Sequence, residues 1–379
     1  MADSRDVGLP RRTVGLVALA AVASVGVVSL ALARPVDGID VSASALERAE
    51  RHSLRAGTGV GLPGAPALPA DAGPIDTSSP DIVVGNGTRT SCTSTAVVDA
   101  VARGGVITFD CGPDPVSIPM TATAKVVNTS PAVVIDGGGL VTLDGLDQRR
   151  ILYMNTCDPA QVWTTSHCQN QDHPRLTLQR ISFTRGNATG ETMEGGGGGA
   201  VFVRGGQVKV VDAQFVGNRC DPNGPDVGGG ALRVLSQFDG RAVVVARSVF
   251  RNNRCSNGGA TSSIGVSWRI LNSTFEDNRA IGTGANPQRP GTPGGGNGGA
   301  IYLDGNEMRL DLVGSVIRGH VAPEGGGAVF FVSNNRTGRA FITSSSLTNN
   351  PSLGFETRGF PGVFHLGAGD PVVTNSRLS

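Results

Sequence analysis

The chain repeats one pattern of apolar and polar positions about every thirty residues over roughly its last three quarters. A Gly-Gly-Ala step opens each repeat, a short apolar strand pattern follows, and a second strand pattern ends on a large apolar residue. The alanines are Ala200, Ala231, Ala260, Ala300 and Ala328, with Gly362-Val363 as a sixth copy, and the large apolar residues are Phe183, Phe215, Phe250, Phe275, Ile317, Leu347 and Leu378. The pattern indicates one small structural unit stacked several times.

Alternation within the second strand indicates which side chains point inward, because successive side chains of a strand lie on opposite faces. Two residues before each large apolar residue, the side chain is apolar or small: Ile181, Ala213, Ser248, Ser273, Ser315, Ser345 and Ser376. Three residues before it, the side chain is mostly polar: Arg180, Asp212, Arg247, Asn272, Gly314, Ser344 and Asn375. We predict that the first row is buried and that the second row faces outward as a ladder of surface charges.

Short strands with glycine corners, each turn bonded to the next, predict an all-β fold, a right-handed single-stranded parallel β-helix. Residues 106–379 would give about nine turns. An N-terminal cap is predicted at residues 81–112, where a helix begins after Cys92-Thr93, ends at Gly104-Gly105 and precedes a strand over Val106–Phe109. Such a helix would cover the end of the sheet.

The first eighty residues have a different composition. Arg11 and Arg12 precede an uncharged stretch that ends in Ala31-Leu32-Ala33, so residues 1–33 are predicted to be a signal peptide, with an uncleaved membrane anchor as the alternative. Residues 34–80 are rich in Ala, Gly, Pro and Ser and are predicted to be a flexible linker. We therefore expect a secreted or cell-surface protein.

Composition and charge narrow the class of protein further. Glycine is 56 of 379 residues, about twice the usual share, and its longest runs precede the predicted corners. The 32 Lys and Arg nearly balance the 31 Asp and Glu, without a long basic run, so nucleic acid is not an expected partner. In an exported chain the six cysteines are expected to form the disulfides Cys92–Cys111, Cys157–Cys168 and Cys220–Cys255, the last joining one column on successive turns.

The Gly-Gly-Ala step and the Phe-x-x-Asn segments that end at Asn218, Asn253 and Asn278 resemble the repeats of chlamydial polymorphic outer-membrane proteins. Such repeats are shared with exported β-helix proteins of the pectin-lyase-like superfamily, and the segment around Cys111 is similar to the start of those chains. The resemblance implies the fold. It does not imply one function, because this scaffold carries lyases, hydrolases, adhesins and passive surface rods.

The position two residues after each Gly-Gly-Ala alanine forms a second row that we expect to face outward. It reads Phe202, Arg233, Ser262, Tyr302 and Phe330, with His365 in the sixth copy. Rings at the spacing of the turns are predicted to stack on sugars or to form a patch for a protein partner. The alternative is that a loop, such as residues 282–296, folds over them.

Catalytic residues are harder to assign. Asp304, Glu307 and Asp311 are the best local group of carboxylates for glycoside hydrolysis, with solvated corner residues as the alternative. The characteristic segments of pectinase-like hydrolases are absent, and Gly319-His320-Val321 matches only two positions of their histidine motif. His320 replaces the asparagine of the repeat, so a turn histidine is the competing interpretation.

No cofactor is expected, with calcium as the open alternative. Glu191, Glu194 and Asp226 stand just before Gly-Gly-Ala steps and offer the hard oxygen ligands that calcium takes, although their offsets from the alanine differ. The sequence thus predicts an exported module that contacts a polysaccharide or cell-surface glycan, with a polysaccharide lyase or glycoside hydrolase as the alternative. Self-association is predicted at the C-terminal edge of the β-helix.

Overall fold

The computed structural model describes Leu62, residues 64–192 and residues 195–379. These residues form a parallel β-helix in which each turn of the chain lays its strands beside those of the turn before. Phe215, for example, pairs with Phe183 on one side and Phe250 on the other, both in parallel register. The predicted fold class is confirmed, while the number of turns stays a prediction.

In the described part of the chain, the strands form two large sheets and one small sheet, which are the sides of the coil. The long sheet has 17 strands. They are Ile82–Gly85, Gly105–Asp110, Val116–Pro119, Ala132–Asp144, Arg175–Thr184, Gln207–Val211, Gln214–Val216, Val243–Ala246, Val249–Arg251, Trp268–Leu271, Thr274–Glu276, Arg309–Val313, Val316–Arg318, Arg339–Thr343, Ser346–Thr348, Val372–Thr374 and Arg377–Leu378.

The short sheet has eight strands and closes the other side of the coil. They are Ala124–Lys125, Leu152–Asn155, Val201–Arg204, Leu232–Leu235, Thr261–Ile264, Ile301–Gly305, Val329–Ser333 and Val363–Leu366. A two-stranded sheet joins Arg254–Cys255 to Arg279–Ala280. Short 3-10 helices lie at Ala70–Ala72, Arg89–Ser91, Pro159–Gln161, Cys168–Asn170 and Phe238–Gly240.

The long sheet bends along the row of polar residues that the sequence places three positions before each large apolar residue. Every member of this row has a positive φ, from 45° at Arg247 to 60° at Gly314. The left-handed backbone turns the chain from one face of the coil to the next. The predicted charge ladder is present here, since Arg247 binds both carboxylate oxygens of Asp212 at 2.7 and 2.5 Å, and Arg180 binds Asp136.

The inside of the coil is filled by rows of identical or similar side chains. Phe183, Phe215, Phe250 and Phe275 stack in sequence with ring centroids 4.6 to 5.0 Å apart, and all four are fully buried. The predicted inward row is also confirmed as buried over Ile181–Ser345, where each serine hydroxyl accepts a hydrogen bond from a backbone N–H of the turn before. Aromatic stacking and hydroxyl ladders thus hold successive turns in register.

The Gly-Gly-Ala step has a specific steric cause, shown by Gly298 and Gly299. Gly298 has a φ of 67°, a left-handed conformation that side chains rarely adopt. A Cβ on Gly299 would collide with the backbone carbonyl oxygen of Gly327 on the next turn. The first glycine therefore permits the corner, and the second permits two turns to approach closely.

The N-terminal helix and the three disulfides are as predicted. The helix spans Ser94–Arg103, Thr93 caps it by accepting a hydrogen bond from the Ala96 N–H, and it ends at Gly104 with φ 76°. Cys92–Cys111, Cys157–Cys168 and Cys220–Cys255 are bonded, with Cα separations of 5.7, 5.0 and 4.8 Å. The third disulfide joins equivalent corners of successive turns.

Residues 64–80, which we call the strap, lie along the outer face of the long sheet. Asn272 donates a hydrogen bond to the Pro66 carbonyl at 2.8 Å, and Gln179 bonds to both the N–H and the carbonyl of Ile75 at 2.8 and 2.9 Å. The predicted linker covered these residues, yet here they are packed against several turns. Its remaining part, residues 34–61, and the predicted signal peptide at residues 1–33 lie outside the described residues.

No helix in the described part of the chain has the length and apolar character needed to cross a membrane.

Candidate functional site

The row predicted to bind sugars is buried, so the expectation of an exposed face is wrong. Phe202, Arg233, Ser262, Tyr302 and Phe330 do form one row across the short sheet, as the register shows. None is more than 2% exposed, however, because the glycine-rich segment before each strand folds back over the sheet. The loop named as the alternative is among these covers, since Asn286 donates a hydrogen bond to the Tyr302 hydroxyl at 2.8 Å.

His365 does not belong to this row. Phe364 pairs with Phe330, whereas His365 pairs with Phe331 and stacks on its ring at 4.9 Å. Gly362 takes the alanine position of the sixth copy, so the residue two positions later is Phe364 and not His365. In the other direction the row continues to Tyr153, whose repeat lacks the Gly-Gly-Ala step that marked the other copies.

Two buried arginines tie the covering loops to this row. Arg150 lies 5.0 Å from the Phe202 ring centroid and donates to the carbonyls of Gly197 and Gly198. Arg233 donates to the carbonyl of Asp226 and the hydroxyl of Ser262, and burial lowers its pKa to about 10. Because both guanidiniums are enclosed and bonded to the protein itself, we assign this row to holding the loops closed.

The three carboxylates predicted as a catalytic group have separate surroundings. Asp304 lies on the short sheet and accepts hydrogen bonds from Tyr302, Asn286 and Asn334, each at 3.1 Å. Asp311 lies on the long sheet, where Arg309 binds both of its oxygens at 2.7 Å. Glu307 is exposed at the corner between these strands. Burial raises the pKa of Asp304, so this carboxyl keeps its proton to a higher pH than an ordinary aspartate. Catalytic roles for them stay predictions.

His320 is fully buried in a row of asparagines inside a corner of the coil. The side-chain oxygens of Asn253 and Asn278 each accept a hydrogen bond from the backbone N–H of the asparagine one turn earlier, and His320 continues the row. Burial lowers the pKa of His320 to about 4. This enclosed position fits the turn histidine that the sequence offered as the competing interpretation.

The predicted calcium ligands do not gather at one point in the described chain. Glu191 lies 3.5 Å from the Arg150 guanidinium, and Asp226 is 3.4 Å from the side-chain nitrogen of Asn286. Glu194 lies outside the described residues. Among the residues that the structure describes, no three His, Cys, Asp or Glu side chains are placed to hold a metal ion. A calcium site stays a prediction.

A groove with charged walls lies instead on the outer face of the long sheet, beside the strap. It has a volume of about 390 Å³ and is lined by four cationic side chains, those of Arg175, Lys209, Arg241 and Arg269. Among the described residues, Asp71 of the strap is the one carboxylate that lines it. The groove therefore has an excess of positive charge on a protein whose total charge is nearly balanced.

Sequence reasoning missed this groove although a positional signal exists. Lys209 and Arg269 both stand six residues before the large apolar residue of their repeat, and the register places them in one outward row of the long sheet with Val244 between them. The four cations come from several turns, so no local motif announces them. The strap was missed because its composition is typical of a linker.

One carboxylate of the protein itself, that of Asp71, already occupies a cation of the groove. The Asp71 carboxylate accepts hydrogen bonds from both terminal nitrogens of Arg269 at 2.5 and 3.3 Å, and this pairing lowers its pKa. Lys209 donates to the Gly73 carbonyl at 2.9 Å, and burial lowers the lysine pKa. Arg175 and Arg241 are exposed, and Arg175 pairs with Asp172 at 3.1 Å.

A loop with an exposed ring precedes the groove residue Arg175 in the chain. Trp163 is 57% exposed on the loop closed by the disulfide Cys157–Cys168. Asn128 braces this loop by donating to the Val162 carbonyl at 3.1 Å. The chain then runs from the disulfide to Arg175, which lines the groove. An exposed indole on a disulfide-closed loop is suited to stacking on a sugar ring.

Residues 272–304 match the family model described as the Chlamydia polymorphic membrane protein (Chlamydia_PMP) repeat. The matched segment is one turn of the coil and includes Phe275, Asn278 and the Gly-Gly step before Ala300. The resemblance inferred from the repeat is thereby confirmed for this segment. No curated protein and no solved structure matches the chain. Three disulfides are typical of proteins that fold in an oxidising compartment outside the cytosol.

Proposed function

We propose, from a parallel β-helix that carries a repeat of the chlamydial polymorphic membrane protein type, that this protein is an exported surface module that binds acidic polysaccharide. The binding surface is the groove between the strap and the long sheet. The disulfides and the repeat type support a position outside the cell. Export through a signal peptide at residues 1–33 belongs to the proposal.

The observation that carries the proposal is the set of four cations along the groove. Arg175, Lys209, Arg241 and Arg269 come from successive parts of the coil, whose turns stand about 4.8 Å apart. A linear polymer with a carboxylate on each sugar could contact several of them at once. Arginine binds a carboxylate through two parallel hydrogen bonds, which gives geometric selectivity as well as charge.

The position of the groove along a sheet face also favours a polymer over a small molecule. Small-molecule sites are concave and enclose most of the ligand, whereas this groove follows a sheet face and is bounded by the strap on one side. The exposed Trp163, on the loop that precedes Arg175 in the chain, belongs to the proposal as a stacking surface. An extended, charged ligand fits both features.

The test is retention of the purified chain on polygalacturonate, compared with uncharged dextran, at low and high salt. We expect binding to polygalacturonate alone, weakened by salt because exposed charges are screened. Replacing Arg175 and Arg241 together by alanine should weaken binding about tenfold or more, since each bidentate charge pair is worth more than a neutral hydrogen bond. Arg358→Ala, at an exposed loop away from the groove lining, is the matched control and should bind normally. Equal binding by all three proteins would overturn the proposal.

An enzyme is the second candidate, and the surroundings of Asp304 favour it. A carboxyl whose pKa is raised by burial is suited to act as a general acid, although the hydrogen bond from Tyr302 opposes that shift. Incubation with uronate polymers, with and without calcium, separates the two functions. New unsaturated ends would indicate a lyase and new reducing ends alone a hydrolase, whereas binding without cleavage supports the module.

A further inference from the structure

We infer that Asp71 is an internal stand-in for the carboxylate of an acidic sugar, so that the ligand must replace it on Arg269. This inference rests on the proposed function and deepens it. The ligand is then a uronate polymer, and the Asp71 carboxylate competes with it for Arg269. The strap itself stays in place, and only the Asp71 side chain exchanges.

The pairing of Asp71 with Arg269 has the geometry of a bound ligand carboxylate. Both terminal nitrogens of Arg269 face the two oxygens of Asp71. The neighbouring carboxylate in the register, Asp311, is already bound by Arg309 through both of its oxygens. Arg269 is therefore the guanidinium of this row whose partner comes from the strap.

The backbone of the strap is held by contacts that do not involve the Asp71 carboxylate. Ala72 is fully buried against Val211, Ala246 and Leu271, with Leu68 packed beside them on the outer face of the sheet. Farther along, Thr77 donates to Asp136 at 2.6 Å. Loss of the ion pair alone would leave these apolar and hydrogen-bonded contacts intact.

The ion pair, in contrast, is open to exchange. The side chain of Asp71 is 63% exposed and that of Arg269 is 28% exposed. Exposed ion pairs contribute little to stability because water solvates the separated charges well. A ligand carboxylate can thus take the place of Asp71 on Arg269 while the aspartate turns to solvent.

The strap presents no other charge that could perform this role on Arg269. Its charged side chains are Asp71 and Asp76, and it contains no lysine or arginine. Asp76 accepts a hydrogen bond from the Ser78 N–H at 2.9 Å and does not line the groove of Arg269. Asp76 therefore provides a matched control within the same segment.

The experiment compares polygalacturonate binding by the wild-type chain, Asp71→Asn and Asp76→Asn. Removing a competitor raises the fraction of binding-competent sites, so Asp71→Asn should tighten binding by roughly fivefold, while Asp76→Asn should leave it unchanged. Thermal unfolding of the three proteins in the absence of polymer should agree, which shows that the strap is still docked. Hydrogen exchange of the strap amides should not rise when polymer binds.

Other outcomes are equally informative. Weaker binding by Asp71→Asn would show that Asp71 is a wall of the site and would overturn the inference alone. Faster amide exchange in the strap on adding polymer would show displacement of the whole segment, which also contradicts it. Absence of polygalacturonate binding in all three proteins would overturn the proposed function and this inference together.

Discussion

The Nδ1 atom of His320 accepts a hydrogen bond from the backbone N–H of Asn278 at 2.9 Å, in the place where neighbouring turns put an asparagine side-chain oxygen. The asparagines also donate from their side-chain nitrogen, as Asn278 does to the Phe250 carbonyl at 2.9 Å. Among the described residues, none forms a hydrogen bond of normal geometry with the buried Nε2 atom of His320. The histidine therefore makes the accepting hydrogen bond of the row but not the donating one, and one polar group is left unsatisfied.

His320→Asn should stabilise the protein. The carboxamide would keep the acceptor and add the missing donor, and an unsatisfied buried polar group costs about 1–3 kcal/mol. We expect the free energy of unfolding at pH 7 to rise by about 1 kcal/mol, measured by denaturant titration. His320→Ala is the comparison variant, since it also removes the ring but restores neither bond. His320→Ala should lower the free energy of unfolding. A rise would contradict the explanation that the missing hydrogen bond limits stability.

As the pH is lowered, the wild-type chain should lose more stability than His320→Asn does. The pKa of His320 is about 4 in the folded chain and 6.5 in the unfolded chain, so the unfolded state takes up a proton first. The part of the free energy of unfolding that depends on His320 has its full value above pH 6.5. It falls by about 3 kcal/mol as the pH drops toward 4. Unfolding at pH 7 and pH 4.5 in both proteins measures the difference. Identical pH dependence would show that His320 does not titrate in this window.

Phe250→Ala should destabilise the coil strongly. Phe250 stacks between Phe215 and Phe275 and is fully buried, so its removal leaves a cavity that two turns share. The expected loss is about 3–5 kcal/mol in the free energy of unfolding. Phe341→Ala is the control on the outer face of the same sheet, where the ring is only half buried under Arg309. It should cost about 1 kcal/mol or less.

Gly299→Ala should disrupt the stacking of two turns. The added methyl group would meet the carbonyl oxygen of Gly327, which is backbone and cannot move aside. A loss of about 2 kcal/mol or more is expected from such overpacking. Gly73→Ala is the control, because φ there is −76° and the nearest atom is at an ordinary contact distance. A cost at Gly73 equal to that at Gly299 would contradict the steric explanation.

Trp163→Ala should weaken binding to polygalacturonate without changing stability. The indole is exposed on a loop that Cys157–Cys168 closes, so its loss removes a stacking surface and leaves the core unchanged. Stacking contributes about 1 kcal/mol, which corresponds to a fivefold loss of affinity. Titration with polymer and thermal unfolding measure the two effects. An unchanged affinity would exclude the indole from the binding surface.

The interior of the coil could be predicted from the sequence because one residue type recurs at each inward position. Phe215 and Ser248 mark rows that the structure then buries, and the equal spacing of Cys220 and Cys255 predicts their disulfide. The outward side of the short sheet could not be predicted in the same way. Alternation shows that Tyr302 points away from the interior, but it carries no information on whether a loop lies above it. Burial of that row depends on the path of glycine-rich segments such as residues 282–296, which have no periodicity.

The groove could not be predicted from the sequence, for a related reason. Its walls combine Arg269 from the coil with Asp71, a residue 198 positions earlier, in a segment whose composition is that of a linker. The strap is held by side chains that project from the sheet and not by a strand pairing of its own. Such contacts follow from the finished coil and leave no pattern in the segment itself.

The strap also changes how the turns depend on one another. In a stacked coil each turn touches only its neighbours, so damage to one turn is felt mainly by the next. The strap joins Asp136, Gln179, Lys209, Arg269 and Asn272, and so links the turn of Asp136 to the turn of Asn272, which do not otherwise meet. It is made early in synthesis, yet it can dock only after the turn of Asn272 has formed. A segment with the composition of a spacer therefore makes its full set of contacts only on a coil whose turns are already in register.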